Sequence, residues 1–366
     1  MSGTSTTSPL GPTTPPLDNI DWSSLGFEFR NTNGYVRYTW TEGEWDEGVW
    51  ETDPYLKVHI ASTGLNYGQD CFEGLKAFRC KDGRIRIFRP QANAARMIDS
   101  ANLASMVPVP SDLFIEAVRR AVVGNLEFVP PYGSGGSLYI RPLLVGNGPM
   151  LTLLPAPVFS FVVFVVPVGS YYKSGAEPVD ALVVEDFDRT APRGTGSAKL
   201  GGNYAPVFLP TKKAKERGYP ITLHLDSATR TYIDEFSTSN FIGLLPADPV
   251  TGVPTFVTPN SPSILRSVTR LSLAVLARRL GWQVEERAVL FSELEEGKFA
   301  EAAACGTAAI ITPVKRIVRG EKEILVGGKA TDKIGPGLER LLNMYKAVQV
   351  GEAEDTDGWM WPTEGL

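Results

Sequence analysis

At 366 residues the chain exceeds the roughly 250–300 residues at which one hydrophobic core stops growing, which predicts two domains. Hydrophobic content of 43% with 21% charged residues is that of a soluble globular protein, and a net charge of −5 without a basic stripe argues against nucleic acid as a partner. The longest apolar stretch, Val158–Val168, is interrupted by Ser160 and Pro167 and reads as a buried strand, so no membrane partner is expected.

Residues 1–19 are rich in Ser, Thr, Pro and Gly with no Lys or Arg, which predicts a disordered tail. The tail has neither the arginine-rich pattern of a mitochondrial presequence nor the apolar core of a signal peptide, so a cytoplasmic location is expected. Strands follow at Tyr35–Trp40 and Arg84–Phe88, both alternating, the second after a Lys81–Gly83 turn. A helix is expected over Asn93–Leu103 and another after Ser111, with Phe114, Ala117, Val118, Ala121 and Val122 on one face. Strands return at Leu138–Leu144 and Val158–Val168, closing a small N-terminal domain over residues 20–168. Residues 169–186 read as a linker into a larger C-terminal domain over 187–366. In the second half of the chain, Ala181–Val184 and Ile221–Leu225 read as strands. Helices are expected at Tyr204–Arg217 with Gly218 as cap, at Ser267–Leu280, in the apolar–acidic run before Cys305, and at Leu338–Val348. Strands and helices mixed in both halves give an α/β or α+β fold.

Three scattered cysteines, Cys71, Cys80 and Cys305, read as reduced thiols, with Cys71 and Cys80 serving core packing. His59 and His224 sit in strand-like apolar contexts and read as core histidines. No spacing of His, Cys and carboxylates suggests a metal site. Any enzyme here must rely on Lys, Tyr, carboxylates or a cofactor.

Four segments carry candidate chemistry. In Gly194-Thr-Gly-Ser-Ala-Lys199, small residues can hold the lysine in a tight, largely buried turn, where burial lowers its pKa as a Schiff-base lysine requires. A flexible glycine loop with a solvated lysine explains the segment as well, whereas the spacing of a phosphate loop is absent. Tyr232–Asn240 places a carboxylate, Glu235, before hydroxyls and an amide, although an N-cap run has the same composition. Ser263–Arg270 opens a helix whose first amides, at Val268 and Thr269, form a ready anion site. Cys305–Ala309 is a small-residue turn in which Thr307 can donate to a phosphate.

Taken in this order, and with GLNYG at Gly64–Gly68, FEGLKAFR at Phe72–Arg79, Ala95–Met97, Tyr139–Pro142, Gly201–Pro206 and Ala308–Val314, the chain resembles the branched-chain aminotransferases. These are fold-type IV enzymes that use pyridoxal 5′-phosphate, two-domain proteins whose domains are mixed sheets or barrels with flanking helices. The resemblance extends from about Trp40 to Trp359–Trp361. It implies that Lys199 bonds the cofactor and shuttles the proton, that Tyr204 meets the cofactor's phenolic oxygen, and that Glu235 lies beside its ring nitrogen. It assigns the phosphate to Arg96, Val268, Thr269 and Thr307, and places Thr238 and Asn240 in the turn lining the cofactor. On the substrate side it points to Phe72, Tyr67, Tyr139, Arg141 and the Thr307–Ala308 turn, with Arg141 serving substrates that carry a second carboxylate. A homodimer is implied, with Tyr67 reaching across the interface. The implied reaction exchanges an amino group between L-leucine, L-isoleucine or L-valine and 2-oxoglutarate by a ping-pong mechanism.

Within the same superfamily, D-amino-acid or (R)-amine transamination and aminodeoxychorismate lysis are the alternatives, and a non-catalytic paralogue is a remoter one. Three positions depart from the family pattern. Arg266-Ser267 replaces a usual Pro-Gly before the phosphate turn. Ala308 stands where some relatives have the second cysteine of a redox pair. Phe236 stands at a position commonly small, where its bulk is expected to reshape the pocket. Lys76 and Arg79 read as a structural or rim charge pair, and Trp359 and Trp361 as packing the tail onto the second domain.

Overall fold

The computed structural model describes residues 14–169, 176–329 and 331–363. Most of the expected tail, and residues 170–175 of the expected linker, lie outside the described residues. Two nine-stranded sheets organise the chain.

The first sheet is antiparallel throughout. Its centre is the long pair Ser137–Asn147 and Val158–Val168, in register from Ser137 opposite Val168 to Asn147 opposite Val158. Tyr35–Thr41 pairs along the other edge of Val158–Val168, which explains why that apolar run is buried along nearly its whole length. The helices Pro90–Leu103 and Ser111–Val123 press Met97, Ala101, Phe114, Val118 and Val122 onto Val36, Leu138, Ile140 and Phe161. The first of these helices begins three residues before the expected Asn93. Pro90 takes a first-turn position, where the missing N–H has no helical acceptor to lose.

In the second sheet, Val179–Val183, Ile221–Leu225, Ile233–Phe236, Ser239–Leu245, Glu301–Gly306 and Ile310–Arg319 form a ring. Pairing of Glu235 with Asn240 and of Phe236 with Ser239 closes it into a barrel. Leu223, Phe236, Phe241, Phe299 and Val314 share its core. The helices Val268–Arg279 and Pro336–Gln349 contribute Leu273, Leu276, Leu338 and Leu341 to a second cluster that also holds Ile242 and Leu244. Phe78 and Phe88 of the first sheet join that cluster, so an apolar seam ties the two sheets together.

Several expectations need correction. The run before Cys305 is helical only over Phe291–Glu295; Gly297, at φ 70°, follows its end, and Glu301–Gly306 is a strand held between Asn240–Leu244 and Ile310–Val314. Pairing on both edges overrides the helix propensity of its three alanines. The helix expected from Tyr204 starts at Phe208, after two short 3₁₀ turns at Gly201–Asn203 and Ala205–Val207. Trp359 is buried against Tyr345, as expected, but also against Phe88, and the strand Met360–Pro362 adds to the first sheet by pairing with Arg86–Phe88. His59 is an exposed loop residue whose ring accepts from the Ala61 amide, whereas His224 is buried and its pKa falls to about 3, chiefly through burial.

Candidate active site

The chain passes between the sheets at Ala198–Leu200, and its backbone is tied down on the first-sheet side. The Lys199 N–H donates to Ser100 Oγ at 2.9 Å, its carbonyl accepts from the Phe72 amide at 3.0 Å, and Leu200 bridges to Cys71. Nearby, the Gly201 amide donates to Asp70 at 2.9 Å. The Lys199 side chain, half-buried, donates from Nζ to the Tyr204 hydroxyl at 2.8 Å. It also lies 4.6 Å from the centre of the Phe72 ring, which meets the Tyr204 ring edge-to-face at 4.9 Å.

These groups open onto a cavity of about 120 Å³. Of the residues expected at the site, Arg96, Tyr139, Lys199, Tyr204, Glu235, Thr238, Asn240, Thr307 and Ala308 all line it. Phe72 and Arg141 sit at its edge. The Arg141 guanidinium lies 4.9 Å from the Phe72 ring and 5.3 Å from the Tyr139 ring, and donates to the Tyr139 hydroxyl at 3.0 Å. Val268 and Thr269 line a smaller adjoining pocket that shares Gly74 and Thr307 with the main cavity. Tyr67 is not brought in; it is 47% exposed and its hydroxyl donates to the Leu151 carbonyl at 2.6 Å.

The electrostatics divide the cavity wall. Glu235 is fully buried, and burial pushes its carboxyl up to about 7 against the pull of Arg189, the Leu265 amide and the Asn240 side chain. Arg189 Nη1 donates to Glu235 Oε1 at 2.5 Å, Asn240 donates to Oε2 at 2.8 Å, and the Arg189 Nε is held by the Ser237 carbonyl at 3.0 Å. Arg96 presents the opposite charge. Its Nε and Nη2 clasp both oxygens of Glu73 at 2.7 Å, and Nη1 donates to the Arg266 carbonyl at 3.0 Å. A guanidinium has five N–H donors, so two remain for an anion in the cavity. Val268 and Thr269 open the twelve-residue helix Val268–Arg279, and their first-turn amides have no helical acceptor.

The positions that depart from the expected pattern are accommodated. Ser267 caps that helix by accepting from the Arg270 amide, with φ −67°, a conformation open to any residue, so no glycine is needed. Arg266 is exposed and serves through its carbonyl. Phe236 does not reshape the cavity: it faces the barrel core, 1% exposed and stacked on Phe241 at 6.1 Å, because neighbouring residues of a strand point to opposite sides and Glu235 takes the cavity side. Cys305 lines the cavity, but burial pushes its thiol up to about 12. Lys76 and Arg79 form no charge pair. Lys76 is buried and donates to the Ala308 carbonyl, whereas Arg79 donates to the Leu126 carbonyl.

Sequence reasoning missed Arg189, Glu73, Ser239 and Leu265 at this site, and Phe27, whose ring meets Tyr139 edge-to-face at 5.3 Å. Only Glu73 carried a signal, its place within the FEGLKAFR run.

In chemical terms, the cavity offers a primary amine beside a phenol, a buried carboxylate bracketed by an arginine and an amide, and a guanidinium, with free helix amides in the adjoining pocket. Among the described residues no helix is long and apolar enough to cross a membrane. A family model described as amino-transferase class IV matches residues 70–317. Transaminase AMT5 of Alternaria alternata is 47% identical over 344 residues, which cover 93% of this chain and 91% of that one. The branched-chain-amino-acid aminotransferase of Haemophilus influenzae is 43% identical over 354 residues, 95% of this chain and all of that one. The crystal structure of the Escherichia coli branched-chain amino acid aminotransferase matches with a TM-score of 0.72 at 28% identity, covering 90% of this chain and 100% of that one.

Proposed function

The chain belongs to the class IV aminotransferases, and from that premise we propose that it transfers the amino group of L-leucine, L-isoleucine or L-valine to 2-oxoglutarate with pyridoxal 5′-phosphate as cofactor. The observation that carries the reading is the Lys199 amine, 2.8 Å from the Tyr204 hydroxyl in a cavity that also presents Glu235 and Arg96. That donor set fits the cofactor group by group. A phosphate needs cations and N–H donors, supplied by the two remaining donors of Arg96, the amides of Val268 and Thr269 and the Thr307 hydroxyl. A pyridine nitrogen needs a carboxylate, supplied by Glu235, and a phenolic oxygen needs a donor, supplied by Tyr204. Thr238 and Asn240 would line the ring.

When bound, pyridoxal phosphate supplies a carbonyl that condenses with amines and a ring that accepts the electrons of the substrate's Cα–H bond. With the cofactor bound, Lys199 would be the base that takes and returns the substrate's Cα proton. Glu235, as a carboxylate, would hold a proton on the ring nitrogen and so favour the ring as an electron acceptor. Phe72, Tyr139 and Tyr204 give an aliphatic side chain aromatic surface, while the Thr307 and Ala308 amides hold its carboxylate. Arg141 would hold the second carboxylate of glutamate or 2-oxoglutarate. Because the first oxo acid departs before the second binds, the two substrates use one site in turn. Exposed Tyr67 suits a homodimer in which it completes the site of a second copy, and a cytoplasmic location belongs to the same proposal.

Purified protein supplied with the cofactor is expected to form glutamate from 2-oxoglutarate with each of the three L-amino acids as donor and not with D-alanine. Transfer from D-alanine alone sinks the branched-chain reading. Because Phe236 lies in the barrel core, Phe236→Ala is expected to cost about 3–5 kcal/mol through the cavity it leaves, while the order of preference among the three amino acids stays as it was. Chemical denaturation and relative kcat/KM values check the two halves of that statement, and a reordered preference would contradict it.

A further inference from the structure

Lys199 and Tyr204 meet at 2.8 Å, yet their backbones are held unequally. The lysine is fixed on the first-sheet side, its N–H on Ser100 and its carbonyl on the Phe72 amide. Tyr204 falls between the 3₁₀ turns Gly201–Asn203 and Ala205–Val207, and its backbone bonds run to Gly201 and Val207, inside those turns. Hydrogen-bond geometry in a 3₁₀ turn is poorer than in an α-helix, so such turns alone hold a side chain loosely.

The residue before the tyrosine supplies a firmer hold. Asn203 is 7% exposed, and both ends of its amide are engaged. Nδ2 donates to the Thr195 carbonyl at 2.7 Å and to the Ala198 carbonyl at 2.9 Å, while Oδ1 accepts from the Thr195 hydroxyl at 2.7 Å. Ala198 precedes Lys199 as Asn203 precedes Tyr204, so one side chain ties the approach to the amine to the approach to the phenol. Two carbonyls and a hydroxyl converge on it, a set that calls for two N–H donors and one acceptor, which only a primary amide carries. Asp would turn an acceptor toward the carbonyls, and Leu would leave both without this donor. Gln has the same groups one methylene further out, too far to meet all three partners from the same backbone.

We propose that Asn203 is a positioning residue: by clamping Thr195 and Ala198 it holds the Tyr204 hydroxyl at its working distance from Lys199 Nζ. This rests on the reading that pyridoxal phosphate binds at Lys199 with its phenolic oxygen on Tyr204. A donor held on that oxygen stabilises the oxygen's anionic form. A loosened tyrosine leaves the oxygen more basic, and the proton it shares with the lysine linkage is then held more tightly. The charged groups Arg96, Arg189 and Glu235 line the same cavity and are present in every variant below.

The test follows the visible absorbance of the full chain, loaded with pyridoxal phosphate, across pH. Asn203→Leu removes all three bonds at similar volume and is expected to move the midpoint of the absorbance change upward by about one pH unit or more. Tyr204→Phe is expected to move it the same way. The double variant should move no further than Tyr204→Phe alone, because Asn203 acts through the tyrosine. With L-leucine and 2-oxoglutarate, kcat in Asn203→Leu should fall at least about tenfold while KM stays within about threefold of wild type. A midpoint unmoved in Asn203→Leu, or shifts that add in the double variant, overturns the proposal. Should Asn203→Leu fail to fold, Asn203→Gln is expected to shift the midpoint in the same direction by a smaller amount, and a wild-type midpoint there overturns the proposal equally. A wild-type protein that gains no visible band from pyridoxal phosphate overturns instead the reading of the cofactor on which the proposal rests.

Discussion

Replacing Lys199 with alanine is expected to abolish amino-group transfer, lowering turnover of L-leucine with 2-oxoglutarate by at least about a thousandfold, while leaving the fold intact. The two halves of that expectation have separate causes. The loop is fixed by backbone bonds to Ser100 and Phe72 and by the Gly201–Asp70 contact, none of which involves the lysine side chain. The side chain meets Tyr204 and the Phe72 ring, so its removal affects the cavity and little else. Thermal melting should therefore change little, and borohydride reduction of the wild-type protein should leave the cofactor attached to the Lys199 peptide, with no such adduct in the variant. Substantial turnover by Lys199→Ala, or an adduct on a different lysine, would remove Lys199 from the role given to it.

The second large effect is expected at Arg189, a residue that touches the carboxylate rather than the reacting carbon. Glu235 already lies well above its ordinary range because it is buried, and Arg189 is the strongest opposing influence. In Arg189→Met only the Leu265 amide and the Asn240 side chain still favour the carboxylate, so its pKa should rise further. Activity needs the ionised form, which exists above that pKa and is lost as pH falls through it. The acid limb of the kcat/KM profile should therefore move to higher pH. Breaking the pair should also cost about 3–5 kcal/mol where Glu235 is ionised. The sign follows from the raised folded-state pKa: stability is fully present below the ordinary glutamate range and falls as pH rises toward the raised value. Adding Glu235→Gln should recover stability and not activity. An acid limb that stays in place in Arg189→Met would show that the pair does not govern Glu235.

The grouping of Lys199, Tyr204 and Glu235 was suggested only by the ordered resemblance to the branched-chain aminotransferases, because small residues around a lysine, or a carboxylate followed by hydroxyls and an amide, fit a solvated loop or an N-cap run as well. The apolar run Val158–Val168 was legible from local sequence, since a strand paired on both edges needs an apolar sequence from end to end. What could not be read depends on pairing across long stretches of chain. Nothing local in Met360–Pro362 indicates that it will lie beside Arg86–Phe88, and the alanines of Glu301–Gly306 favour a helix until neighbours take both edges. The same holds for single charges. Arg189 meets Glu235, 46 positions away, and Lys76 meets the Ala308 carbonyl, 232 positions away. Glu73 lay inside a recognisable run, yet its place under Arg96 emerged only once the helix Pro90–Leu103 was set against the strand Asp70–Phe72. Phe236 illustrates the converse, a residue whose bulk suggested a role in the cavity until strand alternation turned it into the core.

In the proposed reaction, one site in this chain, built around Lys199, takes an amino group from a branched-chain L-amino acid and stores it before any acceptor is present. The direct measurement is the amount of 4-methyl-2-oxopentanoate released when the cofactor-loaded protein is mixed with L-leucine and no oxo acid. A rapid release is expected that stops at about one equivalent per chain, resumes when 2-oxoglutarate is added, and is missing in Lys199→Ala. No release from L-leucine, alongside stoichiometric pyruvate from D-alanine, would contradict it.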